Sequence, residues 1–199
     1  TSDIHMCDWG TQMGMLLCEV RRLRPDLPFF DAKSTGPYPS EPVVTIDELN
    51  EMYPRASARA KSDPEEMAAA RAATAELQAG RPGYRALWQQ FVTVTRTALE
   101  ADFGRLGIRF DLWLGESSVD ERIGPMIERM KADGNAEISQ GALVVPLAEE
   151  SDQTEIPPLI LIKSDGGVMY GTTDLATLEH RIQDLHAEVV LYVVDKRQS

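Results

Sequence analysis

The stretch that decides the fold is residues 158–195, PLILIKSDGGVMYGTTDLATLEHRIQDLHAEVVLYVVD. Its apolar run at 158–163 predicts a strand, and Asp165-Gly166-Gly167 predicts a tight turn that leads into a hairpin with VMY. Residues 172–186 have helical spacing, and the apolar run 188–195 predicts a buried strand. Strands that alternate with helices are typical of an α/β fold with a mostly parallel sheet.

The residues before this stretch continue the alternation. IRFDLWLGES at 108–117 and ALVVPLA at 142–148 predict two strands, and an amphipathic helix is predicted between them at 119–132. At the start of the chain, DIHMCDWG (3–10) predicts a short strand and a turn, followed by a helix that Pro25 ends. The predicted fold class is therefore α/β.

A helical segment interrupts this pattern. Residues 31–44 are rich in Pro, Ser and Gly, which predicts a loop, and the chain from Thr45 to about Leu106 has helical patterning. Thr45 and Glu48 have the spacing of a capping box, and the sequence from Asp63 to Glu66 is typical of a helix start. We expect three segments: the start of the core at 1–36, a helical insertion at 37–106 and an α/β core segment at 107–199.

Composition excludes some classes of protein. The chain has 199 residues, with 20 Lys and Arg against 32 Asp and Glu, and a formal net charge of −12. A general binder of nucleic-acid backbones needs concentrated Lys and Arg, which this balance argues against. No apolar stretch approaches the ~20 residues of a membrane helix, and no export leader is visible, so we expect a cytoplasmic protein. Both ends are typical of a chain cut from a longer one.

Several common site motifs are missing from the sequence. It contains no G-x-G-x-x-G after a strand, no Walker-type loop and no G-x-S-x-G. His5, His180 and His186 are scattered, and neither they nor the two cysteines, Cys7 and Cys18, have the spacing of metal ligands. No metal site is expected.

Polar side chains follow the predicted strands at the points where ligands bind in α/β sheets. Glu116 follows FDLWLG, Tyr170 and Asp174 lie in YGTTDLA, and Gln198 follows the last apolar run. Two carboxylates, a phenol and an amide without a cation suit a planar cationic group such as a guanidinium. A simpler alternative is that Glu116 and Asp174 only cap the helices that follow or contain them.

Four motifs together resemble one family: CDWGTQMGMLL (7–17), LGIRFDLWLGES (106–117), LILIKSDGGVMYGTTDLA (159–176) and LYVVDKRQ (191–198). In this order they resemble the catalytic core of arginyl-tRNA synthetase, a class I aminoacyl-tRNA synthetase. Residues 45–80 are similar to the bacterial form of the insertion in that family. The resemblance implies a Rossmann-like core that activates arginine with ATP and Mg²⁺ and transfers it to tRNA-Arg.

The same resemblance implies roles for single residues. Glu116, Tyr170 and Asp174 match the family positions that hold the guanidinium, and Gln198 matches a position close to the substrate. Weaker matches are Trp9 and Gln12, which would line the substrate cleft or pack the first helix. Lys163 would face a phosphate or lie solvated in a turn.

The chain also departs from the family pattern. The H-x-G-H signature, the K-M-S-K loop or its substitute, and the tRNA-gripping domains are not in the sequence, and Cys7 stands where the family usually has Gly. We therefore expect an arginine–tRNA ligase by family whose isolated core of 199 residues is inactive. Two alternatives remain: a stand-alone paralogue that binds arginine without ligating it, and a fragment that no longer packs and binds nothing.

Overall fold

The computed structural model describes residues 1–148, 156–164 and 166–194. In chain order its strands and α-helices are β1 (Asp3–Met6), α1 (Thr11–Leu23), α2 (Ile46–Ser62), α3 (Pro64–Gln78), α4 (Pro82–Arg105), β2 (Leu112–Gly115), α5 (Asp120–Ala132), β3 (Glu137–Ser139), β4 (Ala142–Val145), β5 (Leu159–Ile162) and α6 (Tyr170–Gln183). Short 3₁₀ helices occupy Pro28–Phe30 and Glu116–Val119. The chain forms two compact units, Thr1–Gly115 and Glu116–Ser199.

The predicted helices are confirmed, and their starts follow from local chemistry. In α2 the Thr45 hydroxyl accepts from the Glu48 main-chain N–H, and the Glu48 side chain accepts from the Thr45 N–H, as the capping box predicts. In α3 the Asp63 side chain caps the N-terminus by accepting from Glu65 N–H, and Pro64 occupies the first helical position. These signals are local in sequence, which is why they could be found there.

The first unit is built around packed helices. Helix α1 packs closely on α3, since a Cβ at Gly14 would overlap the carbonyl oxygen of Ala70. Glu19, 1% exposed, forms ion pairs with Arg22 at 2.8 Å and with Arg59 of α2. The core contains the fully buried side chains Leu17, Val20, Phe29, Leu77 and Leu87.

The strand pairing is less parallel than the alternation of strands and helices predicts. In the first unit β1 and β2 pair in parallel, with Met6 opposite Gly115. In the second unit β3, β4 and β5 form an antiparallel sheet. The two-residue turn Gln140-Gly141, in which both residues have positive φ (50° and 80°), accounts for the pairing of β3 with β4, because such a turn returns the chain as a hairpin. The described residues form a mixture of α-helices and two small β-sheets, and a mostly parallel sheet is not found among them.

The last apolar run differs from its prediction. The sequence predicts a buried strand at 188–195. Residues 188–194, the part of this run that the structure describes, form no strand, and the exposed fraction is 75% at Val189, 85% at Leu191 and 98% at Val193. A strand needs a hydrogen-bonded neighbour, and none of the five described strands pairs with this run. The prediction of a buried strand here is therefore wrong for this chain.

The core of the second unit joins its antiparallel sheet to α5 and α6. Leu161 of β5 and Ala176 of α6 are completely buried in it. The Thr172 hydroxyl donates to the carbonyl oxygen of Leu161 at 2.7 Å and so connects α6 to β5. Two ion pairs, Arg122–Asp184 and Arg129–Glu179, join α5 to α6. Helix α6 is thus fixed on two sides.

Helices able to cross a membrane were also sought. Within residues 1–148, 156–164 and 166–194, every helix is too short or too polar to span a bilayer.

Candidate functional site

Glu116 lies directly after the end of β2 and begins the 3₁₀ helix Glu116–Val119. It is 5% exposed, which is low for a glutamate. Helix α5 has Val119 as its N-cap and no side-chain hydrogen bond at that cap, so Glu116 is not the N-cap of α5. The 3₁₀ helix packs against α6. A buried carboxyl group is therefore placed next to the helix that carries the other candidates.

Tyr170 and Asp174 lie on α6, one turn apart. Tyr170 is the first residue of the helix and is 56% exposed, while Asp174 is half-buried. Residues four apart lie on the same side of a helix, so both are presented from the same face. The N-cap of α6 is Met169, without a side-chain cap bond. Asp174 is in the second turn, and its interpretation as a helix cap is wrong.

The threonines beside these residues serve the fold. Besides the bond from Thr172 to β5, Thr173 donates to the carbonyl oxygen of Tyr170 and Thr177 to that of Thr173, both at 2.7 Å. All three threonines are buried. The hydroxyl groups of Thr173 and Thr177 therefore find their acceptors within α6 itself. Apart from the threonines themselves, no feature of the sequence indicates these bonds.

Two further candidates of the second unit remain outside this group. Lys163 is exposed in the turn after β5, where its main-chain N–H donates to the Gly167 carbonyl and its carbonyl accepts from Gly166 N–H, both at 2.9 Å. This bonding closes the turn, and an isolated bridge between Ile162 and Val168 confirms the predicted hairpin. Gln198 lies outside the described residues.

The two candidates of the first unit lie around the turn between β1 and α1. Trp9 is buried, with its ring edge-on to that of Trp88 at 5.2 Å. The Gln12 amide donates to the carbonyl oxygen of Cys7 at 3.1 Å. Both side chains thus contribute to the packing and the turn of the first unit.

Asp8 is a residue that the sequence reasoning missed. Its carboxyl group is buried and lies against Gly115, the last residue of β2. The sequence contains a signal for Asp8, because it lies two residues after β1 and Glu116 lies directly after β2. The carboxyl ends of parallel strands meet at one edge of the sheet.

The chemistry available to Glu116, Tyr170 and Asp174 is the binding of a cation. In the described ranges there is no group of three or more His, Cys, Asp and Glu side chains able to hold a metal ion. Two carboxylates and a phenol on elements that pack together can accept hydrogen bonds from a planar cation with several N–H donors. A guanidinium is the side-chain group with that donor pattern.

Comparisons with known proteins show the family of the chain. The family model for the catalytic domain of class I tRNA synthetases (R) matches residues 2–199. The chain is 54% identical over 198 residues to an arginine–tRNA ligase of Maricaulis maris and 53% identical to one of Francisella tularensis subsp. novicida. All of this chain is covered in both cases, but only 34% and 33% of those proteins.

A solved structure supports the fold. The arginyl-tRNA synthetase of Plasmodium falciparum matches 99% of this chain and 30% of its own, with a TM-score of 0.75 and 22% identity. At that identity the match speaks for the fold alone. The chain spans about a third of the length of the relatives it matches, and over that length it belongs to the family of class I tRNA synthetases for arginine, as part of their catalytic domain.

Proposed function

We propose that this chain holds the arginine side chain in an ATP-dependent arginine–tRNA ligase. The observation that carries the proposal is the buried Glu116 on a 3₁₀ helix that packs against α6, the helix of Tyr170 and Asp174. Glu116 and Asp174 would accept the forked N–H groups of the guanidinium, and Tyr170 would supply its hydroxyl or a stacking face. Gln198 would bind close to the same substrate.

Charge gives such a pocket its selectivity. Carboxylates form stronger hydrogen bonds with the N–H donors of a cationic guanidinium than with those of a neutral group, so the pocket should favour arginine over a neutral isostere. Citrulline is such an isostere, because an oxygen replaces one guanidinium nitrogen. The discrimination therefore depends on the net charge of the ligand more than on its shape.

The reaction belongs to the longer protein. By family, the arginine carboxylate attacks the α-phosphate of ATP and pyrophosphate leaves, which gives arginyl-adenylate. A hydroxyl of the terminal ribose of tRNA-Arg then attacks the arginyl carbonyl carbon, and AMP leaves. Mg²⁺ enters with ATP as part of the substrate. The residues of this chain bind and orient arginine, which lowers the barrier by positioning. Lys163 would face a phosphate, and Trp9 and Gln12 would line the substrate cleft.

The proposal includes the organisation of the chain. We take residues 1–36 and 107–199 as parts of a Rossmann-like catalytic core and residues 37–106 as a helical insertion. The parallel pair β1–β2 supports such a core. In the longer protein, the exposed apolar run 188–194 would gain the neighbouring strand that it lacks here. A cytoplasmic location and an inactive isolated chain belong to the same proposal.

A chimera tests the ligase function. The matched third of the Maricaulis maris arginine–tRNA ligase is replaced by this chain, and charging of tRNA-Arg is measured as a function of arginine concentration. We expect arginine-dependent charging, and Asp174→Asn should raise the arginine concentration for half-maximal rate by roughly a hundredfold. Asp133→Asn, an exposed residue after α5, is the control that should change nothing.

The outcomes separate the alternatives. Arginine binding by the chimera without charging would favour the paralogue that binds arginine but does not ligate it. An equal response of the Asp174→Asn and Asp133→Asn chimeras would contradict the assignment of Asp174 to the substrate.

A further inference from the structure

The segment after β1 is held in place by α4. Asp8 lies two residues beyond the end of β1, and its main-chain N–H donates to the Met6 carbonyl at 3.0 Å. Its own carbonyl accepts the indole N–H of Trp88 at 2.7 Å. Trp88 is on α4, so a helix that is distant in sequence fixes the backbone of Asp8.

The surroundings of Trp88 make this attachment rigid. The Trp9 ring lies edge-on to the Trp88 ring, and the guanidinium carbon of Arg85 lies 4.4 Å from the centre of the Trp9 ring. Aromatic and cation–π contacts of this kind add to the burial of the rings. The main chain of Asp8 is therefore held by its hydrogen bonds to Met6 and Trp88, and the Trp88 ring is itself packed against Trp9.

The carboxyl group of Asp8 is 6% exposed and packs against Gly115. The parallel register places Met6 opposite Gly115, so the ends of β1 and β2 meet. A Cβ added to Gly115 would lie 2.5 Å from the carboxyl carbon of Asp8 and 2.5 Å from each of its two oxygens. Real Cβ atoms essentially never come this close to another side chain. The Asp8 carboxyl group thus fills the space that a side chain at position 115 would need.

We propose that Asp8 is a positioning residue for arginine binding, an inference that rests on the proposed function. Gly115 immediately precedes Glu116, the buried carboxylate assigned to the guanidinium. The peptide bond that joins them is planar, so the position of Gly115 sets the point from which Glu116 extends. Asp8 acts through Gly115 and does not itself bind the substrate.

Binding of a guanidinium is sensitive to such placement. Forked hydrogen bonds between a carboxylate and a guanidinium need the carboxylate plane and distance to be correct, within about half an ångström. A shift of the Gly115 backbone away from Asp8 would therefore weaken arginine binding even where the chain stays folded.

Calorimetric titration of the chain with L-arginine tests the inference, because it returns the Kd and the fraction of binding-competent chains separately. Gly115→Ala should weaken binding about tenfold. Asp8→Ala removes the carboxyl group that packs against Gly115 and should weaken binding by a similar factor, whereas Asp8→Asn keeps the shape of that group and should retain most of the affinity. Gly104→Ala is the matched control, since a Cβ there meets nothing within 4 Å.

A purely structural role would give a different result. It would lower the binding stoichiometry of Gly115→Ala and leave its Kd unchanged, or leave the Kd of Asp8→Ala unchanged, and either outcome would overturn the inference. Should Gly115→Ala not fold, Trp88→Phe keeps a ring and removes the N–H donor: weaker arginine binding supports the inference and an unchanged Kd overturns it. Absence of arginine binding by the unaltered chain would overturn the proposed function and this inference with it.

Discussion

At the scale of single residues, Thr172 connects the candidate helix to the sheet. Its buried hydroxyl donates to the Leu161 carbonyl, to which the Met169 N–H also donates at 3.1 Å. Thr172→Val keeps the shape and removes one of the two donors. We expect the free energy of unfolding to fall by about 1 kcal/mol, because the second donor remains.

Urea denaturation followed by circular dichroism measures this difference. The matched control is Thr93→Val in α4, whose hydroxyl donates to the Gln89 carbonyl on an exposed face. It should change stability by no more than about 0.5 kcal/mol. An equal change in the free energy of unfolding at the two positions would contradict a stabilising role for the bond from Thr172 to Leu161.

Single residues also show how much of the site can be found from sequence. Glu116, Tyr170 and Asp174 can be identified from the sequence because each lies close behind an apolar run that predicts a strand, and that signal is local. Asp8 was missed because its neighbour Gly115 is distant in sequence, and only the parallel register of β1 and β2 brings them together. The burial of Glu116 likewise depends on packing against α6 and has no sequence signal of its own.

At the scale of elements, the start of α2 predicts a dependence on pH. The Thr45 main-chain N–H donates to the Glu48 carboxylate, and with the ion pair to Arg24 it holds the pKa of Glu48 below its ordinary value of 4.5. The folded pKa lies below the unfolded one. The stabilisation is therefore fully present above pH 4.5 and is lost as the pH falls through the lowered pKa.

The variant Glu48→Gln removes the titrating group. We expect the unfolding free energies of wild type and Glu48→Gln to differ more at neutral pH than in acid, near pH 3. Glu41→Gln, in the exposed loop before α2, is the control and should show no such change. A difference that is the same at both pH values would contradict the role of the capping carboxylate.

The elements that the sequence predicts correctly and those that it does not differ in how far apart along the chain the interacting residues lie. Helices α2 and α3 were found because caps, Pro positions and apolar spacing lie within a few residues. The hairpin of β3 and β4 was missed because its turn has Gln, not the usual Asn or Asp, before Gly141. The apolar side chains of the run 188–194 predict a strand, but a strand forms only beside another strand with which it can hydrogen-bond.

At the scale of the whole molecule, the chain carries two compact units with separate cores. All described candidates for the guanidinium pocket belong to the second unit. The net charge of −12 suits the binding of a small cation better than the binding of a nucleic-acid backbone. Arginine binding by Glu116, Tyr170 and Asp174 is accordingly the part of the proposed function that can be tested on this chain alone.

Titration calorimetry of the chain with L-arginine and with citrulline tests this central claim most directly. The account predicts saturable binding of arginine, binding of citrulline weaker by at least about a hundredfold, and loss of arginine binding in Asp174→Ala. Folding of each sample is checked by circular dichroism. Equal affinity for arginine and citrulline, or unchanged arginine binding in Asp174→Ala, would contradict the assignment of Glu116, Tyr170 and Asp174 to a guanidinium pocket.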